Sequence, residues 1–150
     1  ICHNSPDNRL VSFVDADTLT LISTDATAVV GIYGVSYNEK FDQYIVGMSG
    51  GYMFCFVGNP DLSKLLSVST SAQTGNTRQG MDCDDNYVYF VQYKSNVISV
   101  ATWGGDTVGV IPIQGMSDEP EAIFHIGNRV FVTSNDGKGG KLYEIKFVAG

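Results

Sequence analysis

The chain contains the stretch GMDCDDNYVYFV at residues 80–91, where a short alternating segment, an acidic turn and an apolar segment follow one another. The same order recurs as GVSYNEKFDQYIVG at residues 34–47 and as AIFHIGNRVFVT at residues 122–133. Each copy opens with a small residue, and these residues, Gly34, Gly80 and Ala122, are 46 and 42 positions apart. Asn, Asp and Gly occupy the turns, and they tolerate the positive φ that tight hairpins require. The repeat therefore predicts three copies of a β-hairpin.

More strand-like segments surround these copies. Each of the first two is followed by two further apolar segments, at residues 52–57 and 64–68 and at residues 97–101 and 108–113. Four strands in roughly 40 to 50 residues are typical of one blade of a β-propeller. We therefore predict an all-β fold, a β-propeller of four-stranded antiparallel blades, as a single domain over residues 1–150. The blades are expected at roughly residues 1–31, 32–76, 77–118 and 119–150.

Both outer blades are predicted to be incomplete. Residues 10–14 and 19–23 supply two strands before the first copy, without an inner strand, and residues 142–148 supply only a third strand after the last copy. Since three to four blades close poorly into a ring, we expect this portion to belong to a larger propeller. Upstream chain or a second chain would complete it. A β-sandwich is the structural alternative, because it also has short strands at regular spacing.

Charge and hydropathy exclude two classes of partner. The chain has nine Lys and Arg against sixteen Asp and Glu, for a formal net charge of −7. Nucleic-acid binding requires a basic face to neutralise phosphates, and binding to anionic lipid requires a basic patch. No apolar run approaches the roughly 20 residues that span a bilayer. We therefore predict neither a nucleic-acid partner nor a membrane partner.

The sequence contains no recognisable catalytic motif. It lacks a G-x-S-x-G nucleophile elbow and a G-x-x-x-x-G-K-[ST] phosphate loop. The three cysteines and two histidines lack the close spacing of a zinc site, so buried free thiols are expected. His125 lies within a predicted inner strand, where a lone histidine is typically structural. We therefore predict no catalytic residue and no resident cofactor.

The residues that open the innermost strands are the candidate ligand-binding residues, because they line the mouth of a propeller channel. Grouped carboxylates there could bind a divalent cation through oxygen or act as acid and base, although a solvated acidic rim is the simpler interpretation. Trp103, beside the Gly104-Gly105 turn, could stack on a sugar or fill space between blades. The candidates are Tyr33, Arg78, Gln79, Asp82, Glu119, Glu121 and Trp103.

Three segments carry a family resemblance: RQGMDCDDNYVYF at residues 78–90, NVISV at residues 96–100 and EPEAIF at residues 119–124. From about Asn8 to Phe147 the chain resembles a propeller family of Gram-positive bacteria and their phages. That family includes teichoic-acid-biosynthesis-like proteins, minor structural phage proteins and helveticin-type bacteriocins. Its members carry an additional N-terminal blade or two, with a His- and Asn/Asp-containing segment that has no counterpart here. The resemblance implies an extracellular or virion-surface location and contact with cell-wall glycans.

Three hypotheses about function follow. The leading one is a non-enzymatic binding or structural module that presents a propeller face to a cell-wall glycan or a protein partner. The alternative is a hydrolase or lyase of cell-wall polymers that uses the channel-mouth carboxylates, with a divalent cation. The third is a purely architectural role, in which unpaired sheet edges join another chain.

Overall fold

The computed structural model describes residues 3, 10–26, 32–48, 53–58, 65–69, 78–92 and 95–148. At residues 33, 48, 53–58, 65–69 and 78 it describes the backbone alone. The described residues form thirteen β-strands and no helix. None of them therefore belongs to a helix that could cross a membrane.

The strands are short and follow one another closely along the chain. They are β1 (Leu10–Val14), β2 (Leu21–Ala26), β3 (Ile32–Asn38), β4 (Gln43–Met48), β5 (Met53–Gly58), β6 (Leu65–Ser69), β7 (Arg78–Cys83), β8 (Tyr87–Gln92), β9 (Val97–Thr102), β10 (Thr107–Pro112), β11 (Glu119–Ile126), β12 (Arg129–Asn135) and β13 (Gly140–Ile145).

These strands form four antiparallel sheets, which we call blades one to four. Blade one contains β1 and β2, blade two β3 to β6, blade three β7 to β10, and blade four β11 to β13. Within each blade every strand pairs with its neighbour in sequence. The prediction of an all-β propeller with antiparallel blades of up to four strands is confirmed. The two shorter sheets are consistent with a portion of a larger propeller.

The first strands of blades two, three and four lie side by side, since β7 contacts both β3 and β11. Each of them has a register shift against its second strand near the small residue of the repeat: Gly34, Gly80 or Ala122. A Cβ built on Gly80 would lie 2.5 Å from the Ala122 Cα, and one built on Gly34 would lie 2.9 Å from the Met81 Cγ. The repeated small residues therefore mark the places where neighbouring inner strands approach most closely.

Three apolar clusters fill the space between successive blades. Alternate side chains of a strand point to opposite faces of its sheet. Strand β8 accordingly contributes Val88 and Phe90 to the cluster with blade two, and Val91 to the cluster with blade four. A smaller cluster of Val11, Ile32 and Val46 joins blades one and two. Blade three is thus apolar on both faces, which explains why its central strands β8 (YVYFVQ) and β9 (VISVAT) are nearly continuous apolar runs.

The largest departures from the predicted strand bounds are in blades four and one. The third strand of blade four was expected at residues 142–148 but spans Gly140–Ile145. The second strand of blade one was expected at residues 19–23 but spans Leu21–Ala26. The turn before it is longer than a tight hairpin, because the Asp15 carboxylate accepts the backbone N–H groups of Asp17 and Thr18. Leu19 has a φ of 56°, which is incompatible with an extended strand.

Candidate functional site

The inner strands run in the same direction, so that corresponding positions of successive blades meet. Near the start of these strands, the Gln79 Nε2 donates a hydrogen bond to the Glu119 Oε1 at 2.7 Å. Two predicted channel-mouth residues on blades three and four are therefore in contact. Glu121 lies two residues further along β11 and is partly buried. The side chains of the candidates Tyr33 and Arg78 lie outside the described residues.

Asp82 lies nearer the opposite end of β7 and connects three blades. Its Oδ1 accepts a hydrogen bond from the Ser36 Oγ at 3.1 Å. Its Oδ2 is 2.6 Å from the His125 Nδ1. The Cys83 thiol in turn donates to the Ser36 Oγ at 3.3 Å. The Asp82 side chain is only 12% exposed, whereas that of His125 is 48% exposed. The result is a histidine at the surface that is oriented by a nearly buried carboxylate.

Asp84 organises the turn that follows, between β7 and β8. Its Oδ1 accepts the backbone N–H groups of Asn86 and Tyr87 at 2.7 and 2.8 Å, and its Oδ2 accepts the Tyr89 hydroxyl at 2.6 Å. Partial burial alone would raise the pKa of Asp84, but these three hydrogen bonds outweigh it and hold the pKa below its ordinary value. The turn is thus stabilised by an ionised carboxylate.

Trp103 lies at this same end of the blades. The strand register pairs Cys83 with Val88 and Val88 with Ala101, which places the end of β9 next to the β7–β8 turn. The Trp103 Nε1 donates to the Asp84 carbonyl oxygen at 2.8 Å, and its ring meets Phe41 edge to face at 5.7 Å. The predicted candidates are therefore divided: Gln79 and Glu119 lie at one end of the inner strands, and Asp82 and Trp103 lie toward the other.

Two clefts flank His125 at the turn end. The larger, which we call the hairpin cleft, has a volume of about 790 Å³. Lys40 and Asp85 form an ion pair at 3.2 Å within it, and the Asn38 side-chain amide donates to the Asp84 carbonyl oxygen at 3.0 Å. The hairpin cleft is lined by Tyr37, Asn38, Glu39, Lys40, Cys83, Asp84, Asp85, Asn86 and His125. The second cleft, of about 440 Å³, includes Ile123, Asn128 and Phe147.

Cys83 is the cysteine whose side chain is described, and it is a buried free thiol. Burial raises its pKa to about 11, against a smaller opposing effect of the Ser36 hydrogen bond. Cys2 and the side chain of Cys55 lie outside the described residues. Across the described part of the chain, no group of three or more His, Cys, Asp or Glu side chains could hold a metal ion. This finding does not test whether the channel-mouth carboxylates could bind a divalent cation, for which a solvated acidic rim was the simpler interpretation.

Comparison with known proteins supports the fold. No family model and no curated protein matches the chain. Among solved structures it is similar to glutaminyl cyclase from Myxococcus xanthus, with 16% identity and a TM-score of 0.67 over 92% of this chain and 66% of that one. It is also similar to the calcium-binding protein regucalcin from Agrobacterium tumefaciens, with 12% identity and a TM-score of 0.61 over 89% of this chain and 50% of that one.

A third similar structure is BamB from Moraxella catarrhalis, with 13% identity and a TM-score of 0.54 over 93% of this chain and 39% of that one. The fold is a β-propeller. Identities this low establish the architecture alone. The chain spans between 39% and 66% of the length of these structures.

Proposed function

We propose that this chain is a non-enzymatic binding module that presents the turn end of its blades to a hydroxyl-rich glycan of a Gram-positive cell wall. The hairpin cleft supports this proposal, because it combines fixed polar groups with the exposed ring of Tyr37 and has the exposed ring of Phe41 next to its residue Lys40. Binding sites for small ligands typically place a few convergent polar groups beside apolar or aromatic surface. The extracellular or virion-surface setting and the cell-wall source of the glycan rest on the family resemblance of residues 78–90, 96–100 and 119–124.

Two exposed rings stand beside this cleft. Tyr37 is 41% exposed and Phe41 is 44% exposed. Tyr37 packs against Tyr44 with ring centroids 4.9 Å apart, and Phe41 packs against Trp103. Because these neighbours already restrict both rings, little further side-chain conformational entropy would be lost when a ligand binds. Such rings offer apolar faces for the C–H surface of a sugar.

The charge of the hairpin cleft favours a neutral ligand. The residues that line this cleft include three carboxylates and one ammonium group: those of Glu39, Asp84 and Asp85, and that of Lys40. Like charges repel at close range, so a polyanionic wall polymer would be disfavoured relative to an uncharged one. The proposed ligand is therefore a neutral amino-sugar glycan rather than a phosphate-containing polymer.

The alternative hydrolase or lyase activity stays a prediction. Its two carboxylates, Glu119 and Glu121, lie toward the start of β11, at the other end of the inner strands from the hairpin cleft. Glu119 accepts a hydrogen bond from Gln79. A charge-neutral Glu119→Gln, Glu121→Gln double variant would abolish polymer cleavage if this activity exists, and it would leave glycan retention at the hairpin cleft unchanged.

The proposed function is tested with the purified full chain and two probes: washed Gram-positive peptidoglycan sacculi for co-sedimentation, and chitotetraose for titration calorimetry. The Phe41→Ala variant is expected to bind both probes at least tenfold more weakly. Phe147→Ala is the matched control, because Phe147 is similarly exposed but does not line the hairpin cleft. The binding of this variant should equal that of the wild type. No retention of the wild type on sacculi and no binding of chitotetraose would refute the proposal.

A further inference from the structure

We infer that His125 is the residue that recognises a hydroxyl group of the ligand, with its Nε2 as a hydrogen-bond acceptor at the edge of the hairpin cleft. This inference rests on the proposed function, since it names the chemical group that the cleft recognises. It also identifies Asp82 as a positioning residue. Asp82 would not contact the ligand but would determine which nitrogen of the imidazole carries the hydrogen.

The first step is the state of the Asp82 carboxylate. Both of its oxygens have partners, with Oδ1 accepting from Ser36 and Oδ2 meeting the Nδ1 of His125. An ionised carboxylate can only accept hydrogen bonds, so the Nδ1 of His125 must donate. A neutral imidazole with a hydrogen on Nδ1 has its lone pair on Nε2. The hydrogen-bond network therefore assigns the Nδ1–H tautomer to neutral His125.

The second step is the position of the remaining nitrogen. Half of the His125 side chain is exposed, and the residue lines both the hairpin cleft and the second cleft. Its Nδ1 faces the nearly buried Asp82, so Nε2 on the far side of the ring is directed away from the blade interface. Within the described residues, the His125 ring has no second hydrogen-bond partner. An oriented acceptor is thus available to a ligand.

The third step is the rigidity of the arrangement. Ser36 lies on β3, Asp82 on β7 and His125 on β11, so three different inner strands fix the imidazole. Side chains on strands are held more precisely than side chains on loops. The 2.6 Å separation of the Asp82 Oδ2 and the His125 Nδ1 is short, which is typical of a strong hydrogen bond to a charged group. Little side-chain entropy of His125 would therefore be lost when a ligand binds.

The fourth step is the chemistry of the ligand. An Nε2 acceptor requires a donor, and the hydroxyl groups of a neutral sugar are donors. Protonated His125 would instead donate from both nitrogens and could no longer accept a hydroxyl hydrogen. Recognition should therefore weaken when the ring becomes charged. Titratable and charged groups of two blades face His125 across the two clefts. They are Tyr37, Glu39 and Lys40 of blade two, and Asp82, Cys83, Asp84, Asp85 and Tyr89 of blade three.

The tautomer is tested without any ligand. Uniformly ¹⁵N-labelled protein at pH 8 is expected to show His125 with its hydrogen on Nδ1 and an unprotonated Nε2 in long-range ¹H–¹⁵N correlation spectra. In Asp82→Ala the signal should move toward the Nε2–H tautomer, because the acceptor for the Nδ1 hydrogen is gone. A wild-type protein with its hydrogen on Nε2 would overturn the inference.

Recognition is tested by chitotetraose titration of the full chain at pH 8 and at a lower pH at which ¹⁵N NMR shows His125 to be protonated. The wild type is expected to bind at least tenfold more weakly once His125 is protonated. His125→Phe, which keeps a planar ring without an acceptor, should bind weakly at both pH values. His3→Gln is the matched control, since His3 bonds Ser12 in blade one, and it should retain the affinity and pH dependence of the wild type.

The outcomes separate the two proposals. If the wild type binds chitotetraose but neither His125→Phe nor acidification weakens it, the role of His125 is wrong and the binding function stands. If the wild type binds no probe at either pH, the binding function fails and the role of His125 fails with it. Because the wild-type pH profile requires no substitution, poor folding of a variant would not prevent a decision.

Discussion

Gly80 lies against Ala122 so closely that a Cβ built on Gly80 would come within 2.5 Å of the Ala122 Cα and 2.8 Å of the Glu121 carbonyl oxygen. These neighbours are main-chain atoms of an adjacent inner strand, so they cannot move aside as a flexible side chain would. The contact determines how near blades three and four can approach each other at their inner edge.

Gly80→Ala is therefore expected to lower the free energy of unfolding by about 1 to 3 kcal/mol, the usual cost of inserting atoms into a close-packed contact. Urea denaturation followed by tryptophan fluorescence would measure it. Gly109→Ala is the matched control: it is also a strand glycine, but a Cβ there meets no atom within 4 Å. A loss of equal size in both variants would contradict the steric explanation.

The apolar cluster between blades three and four should dominate the stability of this part of the molecule. Val132 is fully buried there. Val132→Ala is expected to cost about 2 kcal/mol, since it removes two methyl groups and leaves a cavity. Val108→Ala, at a position that is 53% exposed, should change stability by less than about 0.5 kcal/mol. Similar unfolding midpoints for Val132→Ala and Val108→Ala would contradict a dominant contribution of this cluster to stability.

The free energy of unfolding should depend on pH in acidic solution because of the carboxylate in the Asp84 turn. The pKa of Asp84 is lower in the folded protein than its ordinary value of 3.8. The ionised carboxylate therefore contributes fully to the free energy of unfolding above that value, and this contribution is lost as the pH falls through the folded pKa. Asp84→Asn should cost about 1 kcal/mol at pH 6, and the difference from the wild type should shrink below about pH 4.

The matched control for this variant is Asp106→Asn in the β9–β10 turn, where, among the described residues, the carboxylate accepts no hydrogen bond. Urea unfolding at pH 6, 4, 3 and 2.5 would provide the comparison. A difference between wild type and Asp84→Asn that stays constant over this range would show that ionisation of Asp84 does not stabilise the turn.

Cys83 should resist alkylation until the chain unfolds. The residue is 3% exposed, and its pKa of about 11 keeps the thiol protonated near neutral pH. Iodoacetamide labelling of the peptide that contains Cys83, followed by mass spectrometry, should be slow in buffer and should rise with urea in parallel with unfolding. Labelling in buffer at the rate of the denatured chain would contradict burial of this thiol.

The blades could be predicted from sequence because their signals are local. Turn residues such as Asp84, Asn86 and Gly127 lie between apolar segments, and the small residue of each repeat marks a close approach. Strand bounds were predicted less well at β2 and β13, and at β2 a side chain extends the preceding turn. In blade one the Asp15 carboxylate does so, and the second strand begins at Leu21 rather than Leu19.

The Asp82–His125 pair was not predicted, because the two residues are 43 positions apart and occupy different positions of the repeat. Asp82 is two residues after Gly80, whereas His125 is three residues after Ala122. The Ser36–Asp82 contact does join equivalent positions. An alignment of the copies would thus have suggested that inner strands of adjacent blades meet side by side, but the choice of His125 over Phe124 depends on where each side chain points.

The candidate ligand-binding residues were expected to surround one channel mouth, and the strand directions explain why they do not. Residues at the start and at the end of a six-residue strand are separated by about 17 Å. Glu119 opens β11 and Trp103 follows β9, so antiparallel pairing places them at opposite ends of the blades. The sequence alone shows which residues are polar. The direction of each strand determines which of these residues lie at the same end of the blades.

The sequential pairing of strands has a consequence for how the molecule forms. Within the described residues each strand bonds only to strands that are adjacent in the chain, so each blade can assemble soon after its own residues leave the ribosome. The carboxylate of Asp82 is different, since its partners Ser36 and His125 are 46 and 43 residues away. The His125 imidazole can be oriented only after blade four has been synthesised. The hydrogen bond between Asp82 and His125 therefore forms late in folding.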